Sequence, residues 1–163
     1  MTFMKEILDV MRNIFIDSLR RIDKFNIEGS KYLFLNEDIF RDHFPNSPLL
    51  PAAMMIEGSI QLSRIYFWHI TNFKNSLIPM SFSHFKFFDL VRPGNILDIS
   101  LDITKGNVES YQIGDEVRIK TIGYCNDKKV FQGVIQFRIV EFEKLHNKEE
   151  CGNYLSFLYE NMK

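Results

Sequence analysis

His43 and Glu57 are the two side chains whose type and setting suit proton chemistry. Both lie in one stretch, residues 43–61, which begins as a proline-punctuated loop and continues as an apolar helix. The loop carries the imidazole. The helix carries the carboxylate between Ile56 and Gly58, among neighbours that are nearly all apolar. A neutral imidazole can take a proton near working pH. A carboxyl in apolar surroundings favours its protonated form and can give a proton up. The two together make a candidate acid/base pair. Taken singly, a loop histidine is usually a polar loop residue and a helix glutamate usually faces solvent; the apolar segment around Glu57 argues against that reading. Gln61, one helical turn beyond Glu57, can hold it in place. His69, His84 and His146 have no comparable context and read as structural or solvated.

These residues need elements to position them. Pro48 and Pro51 bracket Leu49 and Leu50. Proline disfavours helix in the residue before it and fits the first turn of a helix, so a helix starts at about Pro51. Apolar residues from Ala52 to Ile70 cover most of its circumference, the pattern of a buried helix. About twenty residues of it span about 30 Å. Upstream, helical spacing of Ile7, Val10, Met11 and Ile14 predicts a short helix at the N-terminus, within residues 1–13. Residues 14–25 suit a strand, a turn is expected over 26–30 with Gly29 as the break, and a second strand over 31–35.

Downstream of residue 76 the chain turns strand-like. Residues 80–87 alternate with one slip at His84-Phe85. Residues 91–95, with Pro93-Gly94, read as a turn. Leu97, Ile99, Leu101 and Ile103 form one face of a clean alternation, opposite Asp98, Ser100 and Asp102. Residues 117–122 and 130–140 follow as strands, the last with Ile135, Phe137 and Ile139 on one face. A helix over 147–162 ends the chain. One long buried helix followed by strands with short turns predicts an α+β fold, a curved antiparallel sheet wrapping a central helix.

Length and composition set bounds. The 163 residues suit a single domain over 1–163. A net charge of −1 and the lack of a basic stripe argue against nucleic acid as a partner. No apolar run approaches the roughly 20 residues of a membrane span, and the N-terminus lacks the apolar core of a signal peptide, so the expected location is the cytoplasm. Cys125 and Cys151 have no metal-ligand spacing and read as free thiols. Sixteen Phe is a heavy load, suited to a large core, an apolar tunnel or an interface.

The stretch from His43 to Gln61 resembles the β-hydroxyacyl-acyl carrier protein dehydratases of the hotdog fold (the FabZ-like group). Their motif runs H-F-P-G-x-P-x-M-P-G, then apolar residues, a glutamate and, four residues later, a glutamine. His43, Phe44, Pro45, Pro48, Pro51, Glu57 and Gln61 keep that register, and residues 91–95 look like the family's V-x-P-G-D turn. Departures mark a divergent branch. Asn46 and Ala52 stand where the family has glycine, Leu50 replaces methionine, and residues 10–15 occupy the place of a P-H-R-x-P-F segment.

The resemblance implies a hotdog fold and dehydration of 3-hydroxyacyl thioesters to trans-2-enoyl thioesters in fatty acid or related lipid or polyketide synthesis. It makes His43 the base and Glu57 the acid. It places Ala52, Phe44, Pro51 and Gln61 against the substrate, with the amide of Ala52 facing the developing enolate. It implies no metal and no organic cofactor. The partners it implies are an acyl carrier protein with a phosphopantetheine-linked 3-hydroxyacyl chain and a second copy of the chain, since histidine and glutamate of one site come from different subunits. A trimer of such dimers is the larger assembly it suggests. The alternatives are a non-catalytic subunit that binds acyl carrier protein, prompted by Asn46 and Ala52, and, ranked lower, a hotdog thioesterase.

Overall fold

The computed structural model describes residues 14–103 and 110–162; the helix expected over 1–13 lies outside them. Six strands form one antiparallel sheet: β1 (Ser18–Ile22), β2 (Asn26–Tyr32), β3 (Asn75–Phe87), β4 (Ile96–Asp102), β5 (Glu116–Cys125) and β6 (Lys128–Glu141), in the spatial order β1-β2-β4-β5-β6-β3. A long helix, α1 (Ala52–Thr71), lies against the inner face and packs on β2, β3, β4 and β5. A second helix, α2 (Lys148–Glu160), closes the chain and packs beside β1. This is the α+β arrangement that the order of elements predicts.

The alternation read in the sequence is the alternation of burial. Leu97, Ile99, Leu101 and Ile103 are buried, as are Val117 and Ile119 on β5 and Ile135, Phe137 and Ile139 on β6. The slip at His84-Phe85 is a β-bulge. The register of β3 against β6 breaks between Ser83 and Lys86, and His84 takes a left-handed φ of 56°. The ring of Phe85 then lies over Gly133 of β6, where a Cβ would sit 2.5 Å from it.

The first hairpin differs from expectation. Residues 26–32 are strand, not turn, and the reversal falls at 23–25. Asp23 closes it, its Oδ1 accepting the backbone N–H of Phe25 and Asn26 at 2.9 and 3.0 Å; an aspartate side chain mimics the backbone of a turn in this way. Gly29 is not a break. It pairs with Leu19 and Ile99 inside the sheet, and a Cβ there would lie 2.8 Å from Leu62 Cδ1 on α1.

The seating of α1 has the same requirement at a second point. Gly58 is buried, and a Cβ on it would meet Phe15 Cδ1 at 2.5 Å and Ile99 Cδ1 at 2.7 Å. Ser59 settles its hydroxyl on Met55 O and on Thr121 Oγ1 of β5, at 3.1 and 2.8 Å. Among the described residues, no buried side-chain nitrogen or oxygen lacks a partner.

At the far end of α1, the indole N–H of Trp68 donates to Ser76 Oγ at 3.1 Å, and Ser76 Oγ pairs with His146 Nε2 at 2.8 Å. Burial, and then the charge of Arg64, push His146 down to about 4. α2 starts immediately after, with Asn147 Oδ1 accepting the N–H groups of Glu149 and Glu150. The helix buries Cys151, Tyr154, Leu155 and Leu158, and the Tyr154 hydroxyl donates to Ile16 O.

Two outcomes follow. Gly58→Ala gains about 1 kcal/mol of helix propensity but overpacks a contact already closed, at a cost of about 1–3 kcal/mol. The overpacking wins, so thermal denaturation is expected to show a Tm lower by about 2–4 °C; an unchanged Tm would mean that α1 is not seated on Phe15 and Ile99. The second concerns acid. A His146 held neutral in the fold but free to protonate when unfolded contributes stability above about pH 6.5, and that contribution is lost as pH falls towards about 4. Melting curves should therefore fall over this window, and His146→Gln, whose amide can still pair with Ser76, should flatten part of the fall.

Candidate active site

Chain geometry fixes the imidazole of His43 before any ligand arrives. His43 sits in the loop between a short 3-10 turn, Asp38–Phe40, and α1. The next residue, Phe44, holds a left-handed φ of 57°, a conformation that costs a non-glycine residue about 1–3 kcal/mol. The N–H of Ser47 donates back to Phe44 O at 2.8 Å and closes the bend. The chain then passes Leu49, whose carbonyl lies 2.9 Å from His43 Nδ1. A carbonyl only accepts, so Nδ1 carries a hydrogen, and in the neutral ring the lone pair is on Nε2. The ring of Phe44 meets the imidazole edge-on with centroids 4.7 Å apart.

The turn at residues 91–95 braces this loop. The N–H of Leu50 donates to Val91 O at 2.8 Å, and Arg92 Nη1 donates to Ser47 Oγ at 2.8 Å. Gly94 takes a φ of 86° and donates its N–H to Leu33 O, while Leu33 donates to Asn95 O. The two sequence motifs are therefore one hydrogen-bonded unit.

From Pro51 the chain enters α1. Pro51 offers no capping side chain, the first turn has no acidic residue, and Ala52 and Ala53 are exposed. Neither the N-cap residue nor an acidic side chain of the first turn therefore meets the first N–H groups at the positive end of the helix dipole. α2 is the contrast, with its asparagine cap and two glutamates in the first turn.

Glu57 lies half-buried on the next turn of α1. Its Oε1 accepts from Gln61 Nε2 at 3.0 Å. Gln61 Oε1 in turn accepts the backbone N–H of Phe15 at 2.8 Å. A backbone N–H only donates, so Phe15 decides which end of the Gln61 amide faces the carboxylate. Arg64, a further turn on, donates Nε–H to Leu77 O at 3.0 Å. Burial lowers its pKa and the Glu57 carboxylate acts against that fall.

Among the described residues, no hydrogen bond or ion pair joins His43 to Glu57. The structure places Phe44 and Ala52 exposed, and His43, Pro51, Glu57 and Gln61 half-buried. Gln61, expected against substrate, bonds to both Glu57 and the Phe15 amide. Sequence reasoning missed the Leu49 carbonyl and the Phe15 amide, because backbone groups leave no mark on residue type. Arg92 had a signal, its place in the second turn motif, though its bond to Ser47 did not.

Four likenesses bear on this geometry. The model of the FabA-like domain family matches residues 5–133. The 3-hydroxyacyl-[acyl-carrier-protein] dehydratase FabZ of Pediococcus pentosaceus is 26% identical over 145 residues, 85% of this chain and 93% of that protein. Among solved structures, the dehydratase heterocomplex ApeI:P from Xenorhabdus doucetiae superposes with a TM-score of 0.56 at 20% identity, over 77% of this chain and 98% of that one. A thioesterase from Haemophilus influenzae does so at 0.56 and 8% identity, over 79% and 81%. The superpositions show the hotdog fold, and at these identities they show the fold alone.

One outcome tests the Gln61 brace. Gln61→Leu keeps the bulk but leaves the Phe15 N–H without its acceptor, a loss of about 1–3 kcal/mol. Urea denaturation should report it; a stability equal to the parent's would place the Phe15 amide on water instead.

Proposed function

We propose, from the premise that this chain belongs to the FabA-like domain family, that it removes water from 3-hydroxyacyl thioesters carried on acyl carrier protein. The observation that carries the reading is the bond from His43 Nδ1 to Leu49 O, which orients the ring so that Nε2 of the neutral imidazole is the acceptor. In the proposed step, Nε2 takes a proton from the carbon next to the thioester carbonyl. The electron pair moves into the carbonyl, and the enolate oxygen lies at the uncapped start of α1, near the N–H of Ala52. Glu57, aimed by Gln61, gives its proton to the hydroxyl on the next carbon. The C–O bond breaks, water leaves and the trans-2-enoyl thioester remains. The proton on His43 then returns to Glu57 through solvent, so the cycle balances.

The acid and base of one site come, in this reading, from two copies of the chain. What supports it is the lack of a bond between them within one copy and the character of β3. That strand forms an edge of the sheet and exposes Met80, Phe82 and Phe87, a face suited to a second copy. Phe44, exposed beside His43, is placed to meet the acyl chain. A thioesterase shares the fold at 8% identity; release of free thiol from the same substrates would favour that second reading. The non-catalytic reading is prompted by Asn46 and Ala52, both exposed; turnover by the parent protein would exclude it.

The test is incubation with 3-hydroxyacyl carrier proteins of several chain lengths, following the enoyl product by mass spectrometry. His43→Ala and Glu57→Gln should each lower kcat by about 100-fold or more. Refolded mixtures of the two variants should regain activity, because each mixed dimer holds one intact pair. Turnover by neither parent nor mixture, with all proteins folded, would sink the reading.

A further inference from the structure

A buried cation is paired to the segments that lead to His43 and to Glu57, and the proposed reaction does not use it. Lys31, on β2, is 8% exposed. Its ammonium lies 3.3 Å from Asp17 Oδ2 and 3.1 Å from Glu37 Oε2, and 5.9 Å from the centre of the Phe15 ring. A lysine so buried is costly unless it is paired. Here it has two carboxylates, and each is also tied to backbone. Asp17 Oδ2 accepts the N–H of Tyr32 at 2.7 Å, and Asp17 N–H donates to Ser30 O at 2.8 Å. Glu37 Oε1 accepts the N–H of Phe34 at 2.8 Å. The triad thus clamps residues 15–17 and residues 34–37 onto one point of β2.

Each clamped segment leads to one member of the acid/base pair. Asp17 is two residues from Phe15. The N–H of Phe15 orients Gln61 towards Glu57, and its ring packs where Gly58 leaves room, next to Glu57 in the chain. Glu37 stands at the start of the 3-10 turn Asp38–Phe40, its backbone carbonyl accepting the N–H of Phe40; buried Phe40 anchors the turn, which hands the chain to His43. One lysine therefore stands behind both the brace of the carboxylate and the stem of the imidazole loop.

We propose that Lys31 is a positioning residue for both groups: for Glu57 through Asp17, Phe15 and Gln61, and for His43 through Glu37. It touches no substrate. In the two-copy arrangement proposed above, the His43 and Glu57 of one chain serve different sites, so each lysine sets one half of each. The consequence for turnover rests on the dehydratase reading; the placement itself does not.

The test separates the two limbs. NMR on the full chain would follow the Gln61 side-chain amide and the His43 imidazole nitrogens, with variants whose fold is checked by circular dichroism. Asp17→Asn should move only the Gln61 signal, Glu37→Gln only the His43 signal, and Lys31→Met both, with Lys31→Arg close to the parent. In the dehydratase assay, Lys31→Met should lower kcat about tenfold with KM within about twofold, and Lys31→Arg should recover most of it; a purely structural role would leave the kcat of the folded variant alone. A folded Lys31→Met with either signal at the parent position overturns the double role. If Lys31→Met does not fold, Asp17→Asn and Glu37→Gln decide: no shift, or shifts of both signals by either one, overturns it. Absence of turnover in the parent counts against the dehydratase reading alone, and the NMR comparison still decides this one.

Discussion

The closeness with which α1 can approach the inner face of the sheet governs the rest of the structure. At Gly29 and Gly58 the helix, the sheet and the segment at Phe15 come nearer than any side chain with a Cβ would permit. That contact puts the Phe15 amide within reach of Gln61 and, through Gln61, aims Glu57. The buried small polar residues of the helix follow the same logic. Ser59 and Ser63 spend their hydroxyls on backbone carbonyls one turn back, and Ser59 also meets Thr121. Close approach without unsatisfied polar groups demands side chains of that size.

Much of this was legible in the residues, for identifiable reasons. Alternation locates β4, β5 and β6 because one face of each strand is dry, and a period of two leaves no choice of register. The same rule makes a slip informative: the break at His84-Phe85 is the bulge itself. Gly29 misled because glycine has two uses, to reverse the chain and to admit a neighbour, and only the position of Leu62 decides between them. The true turn was marked by Asp23, whose side chain does the closing.

For the site, residue types carried the outline but not the wiring. His43, Glu57 and Gln61 stand out by type and spacing. What orients them is backbone, the carbonyl of Leu49 and the amide of Phe15, and each is set by tertiary placement. Lys31 was invisible for a related reason. A lysine in a strand reads as solvent-facing until Asp17 and Glu37 are seen to converge on it from either side in sequence.

The two edges of the sheet bear on how copies would associate. An open edge strand invites pairing, and proteins usually blunt it with charge, shortness or cover. β1 has all three: five residues, Arg20 and Arg21 paired to Asp98 and Asp23, and α2 packed alongside. β3 differs: it is broken by Pro79 and the bulge at His84, but it runs to thirteen residues with three large apolar side chains exposed along it. Blunting one edge while leaving the other long and apolar makes sense if only one is meant to be covered. The proposed second copy covers β3. In the proposed arrangement it also brings its Glu57 opposite the Nε2 of His43.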